Sequence, residues 1–218
     1  MASRYEGMTK VYIFLKPSSI CLFDLPDLTV SSNPLRYFIR FLQSVDENAI
    51  LDFAYVPDTP NLIDNLSARE NILIDHSPPP HMRIKGEDLK DIVTEGNNPH
   101  LIKLMDYLPN LDCMPYQLSM EDKKLLSLMK GILSTSSLLV LHSPEKYLHI
   151  DLIHLLQKAI LHETRFRQKT IVLCGKQTAS WQEITDTVIF KNENSIFECS
   201  TELNNVISLP FHKQDKAA

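Results

Sequence analysis

The sequence predicts an α/β fold, a mostly parallel sheet flanked by helices with a small helical subdomain. Three observations carry that reading. Short apolar runs alternate with stretches of helical periodicity along most of the chain, two serines stand where they would cap helices, and the proline-rich break His76–Met82 (HSPPPHM) sets one segment apart. The 218 residues read as a single domain, with a core lobe over 1–76 and 117–211, a helical subdomain over about 77–116 and a frayed polar tail over 212–218.

Met8–Leu15 (MTKVYIFL) reads as a strand, and Ile20–Phe23 as a second after the turn Lys16-Pro17-Ser18-Ser19. Pro34 stands at a helix start, with Leu35, Phe38, Ile39 and Leu42 at helical spacing. Ile50–Val56 (ILDFAYV) is a buried strand closed by Pro57-Asp58-Thr59-Pro60. Asn65–Ile74 is a short helix, with Ser67 as N-cap and Glu70 completing a capping box. Glu87–Val93 and Leu101–Tyr107 are the helices of the small subdomain. Ser119 caps a helix whose apolar face is Leu125, Leu128, Met129 and Ile132. The strand Leu138–Leu141 follows, then a helix from about Ile150 to His162, the strand Thr170–Cys174, a helix at Trp181–Ile184 and the strand Val188–Phe190. Ser195–Phe197 is that last strand's hairpin partner.

Composition narrows the function classes. An apolar fraction of 44% and a charged fraction of 22% are ordinary for a soluble globular protein. A net charge of −5 argues against a nucleic-acid-coating surface. The basic clusters Lys123-Lys124 and Arg165–Lys169 read as solvated helix faces or ends. Cys21, Cys113, Cys174 and Cys199 form no CxxC pair, so zinc ribbons and thioredoxin-like sites are not indicated, and free thiols in a reducing cytosol are expected. No apolar run approaches the roughly 20 residues that span a bilayer, so a second chain would have to hold this one at a membrane.

Other constellations are better explained by structure than by chemistry. His142, His149 and His154 do not share a helix face, and exposed or capping histidines are expected instead of a metal site. Ser143 lacks the glycines of a nucleophile elbow. His162-Glu163 opens no zincin motif. Tyr5, Tyr12 and Phe14 read as strand-face packing, and Trp181 as a plug between a helix and the sheet.

Several segments, in order, carry a resemblance. Phe53-Ala54-Tyr55-Val56-Pro57-Asp58 is a strand entering a loop, and Leu62–Ile72 (LIDNLSARENI) follows it. Leu118-Ser119-Met120-Glu121-Asp122 opens a helix, and Leu138–Leu141 ends in His142-Ser143-Pro144. Thr170–Lys176 (TIVLCGK) and Ile184–Asn194 complete the series. In this order and spacing the chain resembles the ATPase domain of ABC transporters, a P-loop NTPase-like fold. The resemblance covers most of Phe53–Phe197. It aligns Asp58 with the Q-loop glutamine, Ser119 with the signature serine, His142 and Ser143 with the Walker B aspartate and the catalytic glutamate, and Lys176 with the H-loop histidine.

At those positions the family's chemistry is missing. A phosphate-binding loop uses glycines to let backbone N–H groups converge on an anion, with a lysine and a Ser/Thr hydroxyl beside them. The equivalent stretch Asp24–Ser32 (DLPDLTVSS) has no glycine and no lysine. Val30 and Ser31 are its degenerate positions, Ser31 alone being family-like. Met120 and Glu121 replace the signature glycines, and Glu121 and Asp122 put acid at a helix N-terminus. Acid there supports the helix by about 0.3–1 kcal/mol per charge but spoils an anion site.

The resemblance and these losses together lead us to expect a pseudo-ATPase: a domain without Walker A and Walker B catalytic residues, without a cofactor and without enzymatic turnover. It would be cytoplasmic, peripheral at the inner face of the membrane through a partner. That partner would be a membrane permease subunit, an intact ABC ATPase subunit or a second copy of this chain, and not nucleic acid. By analogy with the family's permease-docking groove, Asp58, Asn65, Arg69, Glu70 and Asn71 form the partner surface. Two alternatives stand beside this reading. One is a divergent ATPase subunit that binds ATP and Mg²⁺ through an unfamiliar loop, with Lys176 or Arg36 reaching the phosphates. The other is a free-standing scaffold or regulator.

Overall fold

Strands apolar along their whole length must be covered on both faces, and the sheet of this protein is built that way. The computed structural model describes residues 15–24, 34–45, 52–74, 93, 97–108, 110–175, 178–191, 197–201 and 206–208. Its strands are β1 (Ile20–Asp24), β2 (Phe53–Val56), β3 (Leu138–His142), β4 (Thr170–Gly175), β5 (Thr187–Lys191), β6 (Phe197–Thr201) and β7 (Val206–Ser208). Its helices are α1 (Pro34–Val45), α2 (Ala68–Leu73), α3 (Pro99–Met105), α4 (Met120–Leu133) and α5 (Ile150–Phe166). The strands form one sheet in the order β2-β3-β4-β1-β5-β6-β7. From β2 to β5 neighbours run parallel, while β5–β6 and β6–β7 are antiparallel.

Strand alternation divides the core between the two faces. Ile20, Leu22, Val56, Leu139, Leu141, Ile171 and Leu173 share one face with Leu125, Leu128, Met129 and Ile132 of α4 and Leu152, Leu156 and Ile160 of α5. Cys21, Phe23, Val140, Val172, Cys174 and Ile189 share the other with Phe38, Phe41 and Leu42 of α1. On that face the Phe38 ring meets Phe23 and Phe53 edge-on, at centroid distances of 6.1 and 5.8 Å. Gly131 lets α4 lie close on the sheet, because a Cβ there would overlap Val56 Cγ2 and stand 3.2 Å from Leu139 Cδ1.

Both serine caps form. Ser67 Oγ accepts from Glu70 N at 3.3 Å while the Glu70 carboxylate accepts from Ser67 N at 2.7 Å. Ser119 and Asp122 make the same reciprocal box at the head of α4, at 3.1 Å in each direction. The helix expected from Asn65 begins only at Ala68. The Asn71 side chain explains the delay: its Nδ2 donates to the carbonyls of Ile63, Leu66 and Ser67, and its Oδ1 accepts from Ile63 N, which holds 63–67 as a loop.

Other boundaries move for equally local reasons. α5 continues past His162 to Phe166, where Glu163 and Thr164 remain on its buried side. The segment around Trp181 is a 3₁₀ turn, Thr178–Ile184, instead of an α-helix. The hairpin partner of β5 is Phe197–Thr201 instead of Ser195–Phe197, and it is followed by the unanticipated β7. The small subdomain is represented by Val93 and by α3, which docks on α5 through buried Asn98. Its Nδ2 donates to Ala159 O and to Glu163 Oε1, both at 3.0 Å. The expected strand Met8–Leu15 (except Leu15), the helix Glu87–Val93 (except Val93) and the tail 212–218 lie outside the described residues.

Two variants test this construction. Gly131→Ala should lower stability by about 1–3 kcal/mol, read as a shift in the urea midpoint, because α4 must lift from β2 and β3. Ser119→Ala should lower it by about 1 kcal/mol, as expected for the loss of an N-cap.

Candidate functional site

Parallel strands bring their carboxyl ends to one edge of a sheet, and in α/β folds that edge is where ligands bind. Here the register aligns Asp24 of β1 with Gly175 of β4, His142 of β3 with Cys174, and Val56 of β2 with Leu141. Asp58 lies just beyond β2 and Ser143 just beyond β3. The edge therefore collects Asp58, His142 and Ser143, which the sequence had already singled out.

At the centre is a residue that sequence reasoning had placed in solvent. Lys124, on the second turn of α4, is fully buried. Its Nζ donates to Pro57 O at 2.8 Å, Asp58 O at 3.2 Å and His142 O at 3.1 Å. An ammonium has three N–H groups, and all three are used. Burial pushes the Lys124 pKa down to about 8, against the attraction of Asp58 and Glu145. The reading of Lys169 as solvated fails in the same way. It too is buried, its Nζ holds the carbonyls of Ile132 and Ser134 at the end of α4, and burial lowers its pKa to about 8. A faint signal was available for Lys124, which stands four residues before Leu128 at the border of the apolar stripe.

The side chains around Lys124 also engage one another. Asp58 Oδ2 accepts from Lys146 Nζ at 2.7 Å, and Asp58 Oδ1 lies 3.8 Å from His142 Nδ1. Burial alone would raise the Asp58 carboxyl, but the Lys146 hydrogen bond and the neighbouring His142 bring it below its usual range. Burial, with Lys124 and Lys146 adding to it, lowers the His142 pKa despite Asp58. Burial raises the Tyr55 phenol, which therefore keeps its proton, and its hydroxyl shares a hydrogen bond with His142 Nδ1 across 3.2 Å.

Ser143 follows with a left-handed backbone, φ 42°, and its N donates to Cys174 O at 2.6 Å. Gly175 accommodates it, since a Cβ there would stand 2.7 Å from Ser143 Oγ. Glu145 is buried and accepts from Trp181 Nε1 at 2.9 Å, which gives Trp181 a polar anchor as well as a packing role.

At the head of α4 the Ser119 hydroxyl is held by Asp122 at 2.6 Å, and Glu121 accepts from both N and Nδ1 of His149. The three histidines are thus held by different partners: His142 by Tyr55, His149 by Glu121 and His154 by Gln157. Among the described residues no three metal-ligating side chains converge. Of the surface expected to meet a partner, Asn65 and Glu70 are exposed and Arg69 is half-buried beside Asp112 at 3.5 Å. Asn71 is buried and spent on its own loop. Arg36 is exposed on α1, while Val30, Ser31 and Lys176 lie outside the described residues.

No protein-family model matches the sequence, and no curated protein matches it significantly. Solved structures do match. A bacterial ABC transporter cassette, solved as a dimer, superposes with a TM-score of 0.62 at 14% identity, over 91% of this chain and 88% of the other. The fold is that of the ABC ATP-binding cassettes. The ATP-binding subunit of an ABC transporter matches at a TM-score of 0.58 and 15% identity, over 80% of this chain and 75% of that one. The RNase-L inhibitor matches at 0.54 and 14% identity, over 85% of this chain and 34% of its own. Among the described residues no helix is long and apolar enough to cross a membrane.

Lys124→Met should leave three partly buried carbonyls without that donor and lower stability at neutral pH by about 2–3 kcal/mol. Its pH dependence identifies the cause. With a folded pKa of about 8 and an unfolded value near 10.5, the unfolded chain binds the extra proton between those limits. The Lys124 contribution to stability therefore rises with pH across that window. Urea denaturation of both proteins from pH 7.5 to 10 should show the stability gap widening as pH rises, with Lys169 common to both.

Proposed function

We propose that the chain is a catalytically inactive ABC ATPase-like subunit, a pseudo-ATPase that serves a transporter complex as a structural or regulatory partner. One observation carries the reading. At the carboxyl edge of the sheet, the groups standing at the resemblance's chemical positions are occupied with one another. Lys124 saturates the carbonyls at the ends of β2 and β3, Lys146 holds Asp58, and Tyr55 holds His142. The donor set fits nucleotide-bound Mg²⁺ poorly. That ion takes oxygen ligands in octahedral geometry, whereas this edge offers an imidazole and a carboxylate already paired with an ammonium. At the signature position the Ser119 hydroxyl is tied to Asp122, and two carboxylates stand at the helix N-terminus.

The partner in this reading is a membrane permease subunit or an intact ABC ATPase subunit, with a homodimer as a third form. The dimeric cassette and the transporter subunit among the structural neighbours support association of this kind. The chain would then sit in the cytoplasm, at the inner face of the membrane, held there by its partner. Its contact surface would be the exposed part of the loop and helix from Asp58 to Glu70, with Asn65, Arg69 and Glu70 outermost.

A divergent ATP-binding subunit is favoured by one finding, the likeness to an ATP-binding transporter subunit, and the fold accommodates both readings. Calorimetric titration of the folded chain with ATP and Mg²⁺ separates them. The expected result is no binding heat up to millimolar nucleotide. Micromolar binding would overturn the pseudo-ATPase reading and establish the divergent subunit in its place.

A further inference from the structure

α3 is held to α5 by a polar clamp and an apolar seam. Asn98 donates to Ala159 O and Glu163 Oε1, and Leu101 and Leu104 are fully buried. Beside the clamp two histidines meet, one from each helix. The ring centroids of His100 and His162 lie 6.4 Å apart with their planes at 73°, and Phe166 stacks beside His162 at 4.5 Å. The Nδ1 atom of each imidazole is buried without a hydrogen-bond partner.

Two physical effects keep this pair neutral while the helices are docked. A neutral imidazole can leave one ring nitrogen without a proton, whereas an imidazolium carries an N–H on both. Charging either ring therefore puts a buried donor on Nδ1 with nothing to accept it, which is unfavourable. The surrounding charge acts in the same direction. Burial lowers the His100 pKa from its ordinary 6.5, and His162, Lys103 of α3 and Lys158 of α5 lower it further. No carboxylate offsets them, because Glu163 is turned to Asn98 and to Arg167, whose Nε is 3.8 Å away. The same lysines oppose a metal ion here, and among the described residues no third ligand joins the pair.

We propose that His100 and His162 form an acid-sensitive latch: uptake of a proton by the pair releases α3 of the small subdomain from α5. Release frees each ring to bond water and uncovers Leu101 and Leu104. Because the docked value of His100 lies below 6.5, the released state binds more protons under mildly acidic conditions. The latch is therefore fully closed above about pH 6.5 and loosens as pH falls below it, until the docked value is reached. It does not depend on whether nucleotide binds.

The test uses the full chain labelled with ¹⁵N and ¹³C. Ring-carbon magnetic resonance shifts follow each histidine. Amide hydrogen exchange over Leu101–Met105, corrected for the intrinsic pH dependence of exchange, follows the opening of α3. His100 should titrate below 6.5, and opening should increase about fivefold to tenfold from pH 7.5 to 5.5. His162→Gln should bring the His100 value back toward 6.5. Combining it with His100→Gln should leave opening nearly constant over the same range. If the double variant weakens docking at every pH, the titration of His100 in the unaltered chain still decides. His149, bonded to Glu121 and 6.0 Å from the Tyr107 ring, is the titratable contact at the other end of α3. His149→Gln should preserve the pH response. Three results would overturn the proposal: His100 titrating at or above 6.5, opening that does not change with pH, or a response that disappears with His149→Gln.

Discussion

The arrangement of the sheet's carboxyl edge depends on a single buried ammonium. Lys124 reaches from α4 to the ends of β2 and β3 and gives each of its N–H groups to a main-chain carbonyl. Burying a charge is unfavourable unless it is fully bonded, and carbonyl oxygens at a strand end are equally unfavourable without donors. The two deficits offset each other. The loop after β2, the turn after β3 and the second turn of α4 are consequently held as one unit, and the positions of Asp58 and His142 follow from it.

Lys169 repeats the device at the other end of α4, where its ammonium takes the carbonyls of Ile132 and Ser134. Each lysine satisfies carbonyls that secondary structure leaves unbonded at helix and strand ends. Between these two anchors Gly131 allows α4 to settle against Val56 and Leu139. The helix anchored in this way is the one that bears the signature-like segment at its head. Its Glu121 in turn caps the start of α5 through His149.

The fold was largely legible in the sequence because its elements follow local rules. Ser67 announced α2 by its spacing to Glu70, Ser119 announced α4 as an N-cap ahead of an apolar stripe, and the strands β1, β3 and β4 stood out as apolar runs of strand length. The misjudged boundaries were those set by side-chain hydrogen bonds that hydrophobic periodicity does not reveal. Asn71 delayed α2 by bonding the preceding loop, and Asn98 and Glu163 kept the last turn of α5 buried against α3. The candidate site was legible only in outline. Asp58, His142 and Ser143 were identified by position, but their company was not.

The sequence by itself determined the alternation of strands and helices, the helix starts and the residue types at the sheet's carboxyl edge, all of which depend on neighbours within a few positions. Only the tertiary structure decided what those residues do for each other. Lys124 lies 67 positions from Pro57 and 18 from His142, and Lys146 lies 88 from Asp58. A lysine's long aliphatic stem fits either a solvated helix face or a buried one, and its sequence neighbours are the same in both cases. The difference is made by which main-chain carbonyls the sheet brings within reach, and that is settled only when β2, β3 and α4 pack together.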